Sequence, residues 1–343
     1  MTGLLRNAIG EGMTPSEKLI ACGENVGNLV FWEAIERLFS PKAVRYGDAE
    51  GLKSCEKVIV TDLIWIRENA EFLYLEKIVD AYPIPFIPIS IGLQSGGYDP
   101  SFKLSASLVR LLKKMEERAM LGVRGAYTES ILEKYGIKNI RPIGCPSMYE
   151  WNNRSLRISA GSQQGRCSAN FRSFFGRLSV PEKHFLSYCA RHAMLFIEQT
   201  KWKFTPEQAN DAAYYRYVSQ WLRENSVLPL GVREWERALR GIGFSMGGRF
   251  HGNVFALWNG IKALFLTVDS RTEELTNFFG LPAMPMPRFD WERGIEWYYD
   301  LADYSRFNRM YPKLYDNFCG FARKNGLKIK GAQPLSFVSR SSE

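Results

Sequence analysis

Arg249 and His251 stand two residues apart within Ser245-Met-Gly-Gly-Arg-Phe-His-Gly-Asn-Val-Phe-Ala-Leu-Trp-Asn-Gly260. On an extended segment such residues share a face. The spacing therefore predicts a strand-like Arg249-Phe250-His251 with a permanent cation beside a titratable imidazole. Gly252 is expected to open an amphipathic helix carrying Val254, Phe255, Leu257 and Trp258, and a buried strand is expected over Ile261 to Val268. A helix N-terminus beside a cation suits an anionic ligand, and an imidazole exchanges protons near neutral pH. Gly247, Gly248 and Gly252 allow a ligand close to the backbone, which favours a functional His251 over a satisfied core histidine. A neighbouring cation depresses the pKa of an imidazole, and a bound phosphate or carboxylate raises it. His251 is thus expected to become a proton donor once substrate has arrived. His184 and His192 have no carboxylate or cysteine at ligand spacing and read as structural.

Further arginines extend this chemistry. Arg124 lies in Gly122-Val-Arg-Gly-Ala-Tyr-Thr128, between a short strand and a helix that Thr128 is placed to cap. A surface arginine and an anion contact are equal readings of it. Arg172 falls among Phe171, Phe174 and Phe175 in an expected strand, where an arginine needs a partner or a ligand. Arg271 opens a helix after Asp269 and reads as an anion contact or as a salt bridge to Glu274, three residues on. Asn25 sits in Gly23-Glu-Asn-Val-Gly-Asn28, a loop between strand and helix of the kind that holds ligands at the carboxyl end of a sheet. Its spacing is not that of a dinucleotide fingerprint. A nucleophile elbow, a Walker loop, a His-Glu-x-x-His motif and an Asp-x-Asp pair are absent, so no metal is expected.

The elements that must position these residues alternate. Strands are expected over 18–22, 57–66, 86–94, 120–123 and 140–143, with helices over 29–38, 70–79, 104–119 and 127–135. That rhythm predicts an α/β fold with parallel sheet covered on both faces. Residues 1–16 read as a mobile lead-in, 17–149 as a first domain and 150–166 as a polar linker. A second α/β domain spans 167–290, and an aromatic-rich helical segment, 291–343, covers it and packs back on the first. Two such domains facing each other make an interdomain cleft, a usual place for a ligand.

Composition narrows the partners. The formal charge is +9, yet the basic residues are scattered and not interleaved with aromatics as a nucleic-acid groove requires. No nucleic acid is expected; anionic substrates and a weak attraction to a membrane surface are. Six widely spread cysteines fit a reducing compartment. The first residues lack a signal-peptide core, and the longest apolar stretch, 82–93, carries three prolines and is too short to span a bilayer. A cytoplasmic protein is expected, working at the inner face of the membrane, with its oligomeric state left open.

Three stretches together resemble the polysaccharide pyruvyl transferase family. They are Gly248-Arg-Phe-His-Gly252 with Ala256, Gly260, Asp269, Arg271, Leu275 and Gly280-Leu-Pro282; Arg124-Gly-Ala-Tyr-Thr-Glu-Ser130 with Leu132, Gly136 and Gly144-Cys-Pro-Ser147; and Asn25-Val-Gly27. The resemblance implies two Rossmann-like domains in a GT-B-like arrangement. It implies transfer of pyruvate from phosphoenolpyruvate to sugar hydroxyls of a glycan or lipid-linked glycan precursor, usually as a cyclic ketal, with release of phosphate. Phosphoenolpyruvate is then the donor substrate and no other cofactor is implied. By matching position, Arg249 would hold the donor's phosphate or carboxylate, His251 would bind it and serve as acid or base, and Arg172 would be a second anion contact. The family commonly has Asn-x-Gly-Asp where this chain has Asn25-Val-Gly-Asn28, and a Gly-rich turn where it has Thr61-Asp-Leu63. Both departures fall on the first, acceptor-side domain. The rival readings are a GT-B glycosyltransferase using a nucleotide sugar and a non-catalytic glycan-binding relative.

Overall fold

The computed structural model describes residues 1–331 except 11, 160–164, 173, 175 and 202. Twelve strands run through the described residues. The first six are β1 (Thr2–Leu5), β2 (Lys42–Val44), β3 (Lys57–Val60), β4 (Phe86–Pro88), β5 (Leu121–Val123) and β6 (Ile140–Pro142). The rest are β7 (Arg166–Asn170), β8 (Leu195–Ile197), β9 (Ser226–Val227), β10 (Ile242–Gly247), β11 (Lys262–Thr267) and β12 (Ala283–Pro285). The first sheet has the order β2-β1-β3-β4, and the pair β5-β6 joins it through a bridge between Ile91 and Val123. The second sheet has the order β12-β11-β10-β7-β8-β9. Every pairing between these strands is parallel. Helices carry the chain back between strands, as parallel pairing demands. Two such halves face each other across a cleft in the expected GT-B-like arrangement.

Alternation along the strands builds the core. Leu4 and Ile59 face one side of the first sheet; Leu5, Val58 and Val60 face the other. Both sides are dry, so the strands read as unbroken apolar runs.

Sequence and structure part at the N-terminus. Residues 1–16 are not a lead-in, and the first domain does not begin at 17. β1 pairs with both β2 and β3 and lies inside the sheet. Four residues suffice for a buried parallel strand, and Gly3 is required there because a Cβ would come 2.7 Å from the Cys55 Sγ. The expected strand 18–22 belongs instead to a helix, Pro15–Ala21. Thr14 and Glu17 form its capping box, with Pro15 at the first position, which outweighs a five-residue apolar run.

The final helix, Ser305–Lys324, crosses back to the first domain. Asn317 Nδ2 donates to the Pro142 carbonyl at 2.6 Å, and Asn325 exchanges hydrogen bonds with the Met120 backbone. Phe321 packs against Gly122, where a Cβ would lie 3.0 Å from the ring. Of the expected linker, 160–164 lie outside the described residues; Trp151 and Leu156 are buried in the core. No helix among the described residues is long and apolar enough to cross a membrane.

Candidate functional site

The second-domain wall is built where β10 ends. Gly247 has φ 151°, and a Cβ there would fall 1.9 Å from the Asn170 carbonyl oxygen, so only glycine fits. The chain then turns at once into the helix Phe250–Trp258, with Arg249 as its N-cap residue. The expected strand-like Arg249-Phe250-His251 is therefore corrected. His251 sits in the first helical turn, and the two side chains meet the cleft from a cap and a helix. Gly252 is the third helical residue, not the opener. A Cβ on it would come 2.5 Å from Gln199 Nε2 and 2.9 Å from Asn170 Nδ2. It supports the cleft from behind.

An asparagine network fixes this turn. The Arg249 N–H donates to Asn170 Oδ1 at 2.7 Å. Asn170 Nδ2 donates to Asn253 Oδ1 at 2.8 Å, and Asn253 Nδ2 donates to the Gly247 carbonyl at 2.9 Å. Asn170 and Asn253 are fully buried. Buried amides with their hydrogen bonds made hold a single backbone arrangement.

Between the domains lies a cleft of about 1070 Å³. Its lining brings together Asn25 and Arg124 from the first domain with Arg172, Gly248, Arg249, His251 and Arg271 from the second. Arg124 is 5% exposed, which removes the surface-arginine reading. Its Nε approaches Ser90 Oγ at 3.4 Å, and Gly92 lies against it so closely that a Cβ would fall 2.5 Å from its Cδ. Burial, then the charge of Arg271, pulls its pKa down to about 10. Burial does the same to Arg249, partly offset by the Glu198 carboxylate, and its value is also about 10. Arg249 Nε donates to the Phe171 carbonyl at 2.8 Å.

Arg271 and Arg172 each pair with a carboxylate. Arg271 grips Asp269 Oδ2 through Nε at 3.1 Å and Nη2 at 2.6 Å, not Glu274 as the spacing suggested. Glu274 is taken by the first domain: it accepts from the Thr128 N–H and hydroxyl, both at 2.7 Å. Thr128 therefore does not cap its helix, Ala126–Lys134, whose N-cap is Gly125. Arg172 lies past the end of β7 in a loop, and its guanidinium pairs with Glu182. Asn25 Oδ1 accepts from the Gly27 N–H at 3.1 Å, and the adjoining Val26 N–H donates to the Gln199 carbonyl of the second domain. With Arg67 the cleft presents five arginines against Glu24, Glu68 and the already committed Asp269. That is a positive, low-dielectric site for an anion.

His251 is central to it. Its Nε2 lies 3.4 Å from Cys145 Sγ, which is itself 3.0 Å from Ser147 Oγ, and its ring meets the Phe31 edge at 5.9 Å. Burial pushes its pKa down to about 3, reinforced by Arg124, Arg271 and Arg249. The imidazole is neutral at pH 7. His184 is elsewhere, stacked on Trp291 at 4.9 Å, and burial lowers the pKa of His192. Sequence reasoning gave no role to Asn170, Asn253, Gln199, Thr200 or Cys145. A polar residue ending or following a buried apolar strand was the available signal for Asn170 and Gln199. No group of His, Cys, Asp and Glu among the described residues could hold a metal ion.

Residues 50–270 match the sequence profile of the polysaccharide pyruvyl transferase family. No curated protein matches the chain in sequence. Among solved structures it is similar to a functionally uncharacterized protein of Klebsiella pneumoniae, at 13% identity and TM-score 0.40 over 81% of this chain and 87% of that one. It is also similar to S. aureus MnaA solved with UDP (8%, TM-score 0.42, 95% and 91% covered). A third is Os79 from O. sativa, solved in complex with UDP (10%, TM-score 0.42, 95% and 99% covered). Nothing about function rests on likenesses of this degree. The profile spans well over half of the sequence, including Arg124 and the Arg249-Phe-His251 turn, and the chain belongs to the polysaccharide pyruvyl transferase family.

Proposed function

We propose that the protein transfers pyruvate from phosphoenolpyruvate to hydroxyls of a glycan or lipid-linked glycan precursor and releases phosphate. The supporting observation is the convergence of Arg124, Arg172, Arg249 and Arg271 around His251 in one cleft. The donor carries a carboxylate and a phosphate, and guanidinium forks match both.

The electrostatics give the order of events. In the free protein His251 is neutral because burial and three arginines oppose its charge. A bound donor answers those arginines and raises the imidazole pKa, so His251 takes up a proton as substrate arrives. The imidazolium protonates the methylene carbon of the donor, which becomes the methyl group. A sugar hydroxyl adds to the electrophilic central carbon and returns its proton to His251. A second hydroxyl displaces the phosphate, which leaves with the remaining proton as hydrogenphosphate, and the ketal closes. Arginines that hold the donor's charge throughout supply the electrostatic part of catalysis.

The test combines turnover and binding. Purified protein with phosphoenolpyruvate and a panel of glycans is expected to release phosphate, whereas nucleotide sugars are expected to be left intact. Phosphoenolpyruvate should raise the Tm of the protein, and Arg249→Ala should abolish the rise. Turnover of a nucleotide sugar without phosphoenolpyruvate, or no Tm rise in the parent protein, overturns the proposal.

A further inference from the structure

Among the apolar residues of the mainly charged and polar cleft lining, Ile64, Phe250, Val268, Leu275 and Trp65, the indole stands out. Trp65 is 45% exposed; the other benzenoid ring in the lining, Phe250, is 7% exposed and turned into the core. An indole left half-open inside the cleft offers a flat apolar face to whatever binds there. Arg67 and Glu68 from the same loop, with Gln94 and Asn28, line the cleft beside it. A flat apolar face bordered by hydrogen-bonding side chains matches a sugar ring, which offers C–H bonds on one side and hydroxyls around its rim. The negative face of an aromatic ring attracts such C–H groups.

This surface is rigid and tied to the anion site. The Ile66 N–H donates to the Gly92 carbonyl at 2.8 Å, and the Gln94 N–H donates to the Ile66 carbonyl at 2.7 Å. Gly92 is the residue packed on Arg124. Trp65 is thus one residue from a segment that fixes Arg124, and a group on the indole stands in a set relation to an anion on the arginines. Behind it Phe72 packs on Trp65, with ring centroids 6.0 Å apart. Tyr46 and Tyr74 both donate to Asp62 Oδ1, at 2.6 and 2.7 Å, so the aromatic backing is pinned by a shared carboxylate. Trp65 also follows β3 at the carboxyl end of the parallel sheet, where open α/β folds take their ligands.

We propose that Trp65 is the stacking platform for the saccharide acceptor, with Arg67, Glu68 and Gln94 reading its hydroxyls. Calling that saccharide the acceptor rests on the pyruvyl-transfer reading; saccharide binding itself does not. The experiment is saturation-transfer NMR on the full chain with methyl galactoside, methyl glucoside and N-acetylmannosamine as probes. At least one should show saturation of its ring C–H signals with the parent protein. Trp65→Ala should weaken that probe about tenfold or more, as loss of a buried aromatic anchor does. Trp65→Phe should recover part of it. The Tm rise with phosphoenolpyruvate should persist in Trp65→Ala, which shows that the variant is folded. No signal from any probe with the parent protein, or equal binding by Trp65→Ala, overturns the platform. Trp65-dependent sugar binding with no phosphoenolpyruvate response in the parent protein upholds the platform and sinks the donor reading alone.

Discussion

At the scale of the residue, the cleft disfavours the charged form of an imidazole. His251 has an ordinary pKa of 6.5 and a folded value of about 3. The native state therefore binds its proton less readily than the unfolded chain. Linkage then fixes the sign: the contribution of His251 to stability is full above pH 6.5 and is lost as the pH falls toward 3. His251→Gln has no such titration. The stability difference between parent and His251→Gln, from urea unfolding, should be flat above pH 6.5 and should move against the parent below it. Comparing the two proteins removes the carboxylates, which titrate in both. A difference that stays constant through the whole window would show that His251 is not held neutral. The sequence foresaw the depressing effect of a neighbouring cation. It did not foresee that burial is the larger cause, or that Arg124 from the other domain supplies more of the charge effect than the adjacent Arg249.

At the scale of the element, the strand-to-helix turn after β10 matters most. Two glycines and an Arg-x-His pair made the site visible in the sequence, and Gly248, Arg249 and His251 do line one cleft. The local geometry was less legible. A helix separated from a strand by only two residues leaves too short an apolar pattern to reveal the switch, so the pair read as strand. Asn253 was hidden for a related reason. It lies inside an otherwise apolar helix and carries no motif, yet it is wholly buried and bonds both Asn170 and the Gly247 carbonyl. Asn253→Leu would take from Asn170 Nδ2 its acceptor and from the Gly247 carbonyl its side-chain donor. At the usual penalty for each buried polar group this should cost about 2–6 kcal/mol in urea unfolding. It should also weaken phosphoenolpyruvate binding, because Asn170 receives the Arg249 N–H. A loss under about 1 kcal/mol with an undiminished Tm rise would mean that the turn does not depend on this network. β1 was illegible for a simpler reason: four residues at a terminus have no flanking pattern to announce them.

At the scale of the whole molecule, two sheets share one core. A continuous apolar cluster runs from Leu4, Ile59 and Ile87 of the first sheet to Phe244 and Leu264 of the second. Polar ties reinforce it. Ser270 N–H donates to the Ser95 carbonyl at 3.0 Å, the Ser95 N–H donates to Ser270 Oγ at 2.9 Å, and Thr128 is held by Glu274. The final helix closes the join: the Phe318 ring stacks on Tyr149 at 4.2 Å, and Tyr311 donates to the Met148 carbonyl at 3.1 Å. A cleft whose walls are joined this way keeps Arg124 in register with Arg249 and Arg271 before any ligand arrives, so little binding energy goes to assembling the anion site. The alternative is a pair of domains that hinge freely and meet only around substrate. Unfolding distinguishes them. A shared core predicts one cooperative transition in calorimetry, with equal calorimetric and van't Hoff enthalpies. Phe318→Ala, which empties a fully buried site between the helix and the first domain, should cost about 3–5 kcal/mol and lower that one transition without splitting it. Two resolved transitions in the parent protein, or a Phe318→Ala variant in which only part of the enthalpy moves, would mean that the halves fold as separate units and that the anion site is assembled by closure.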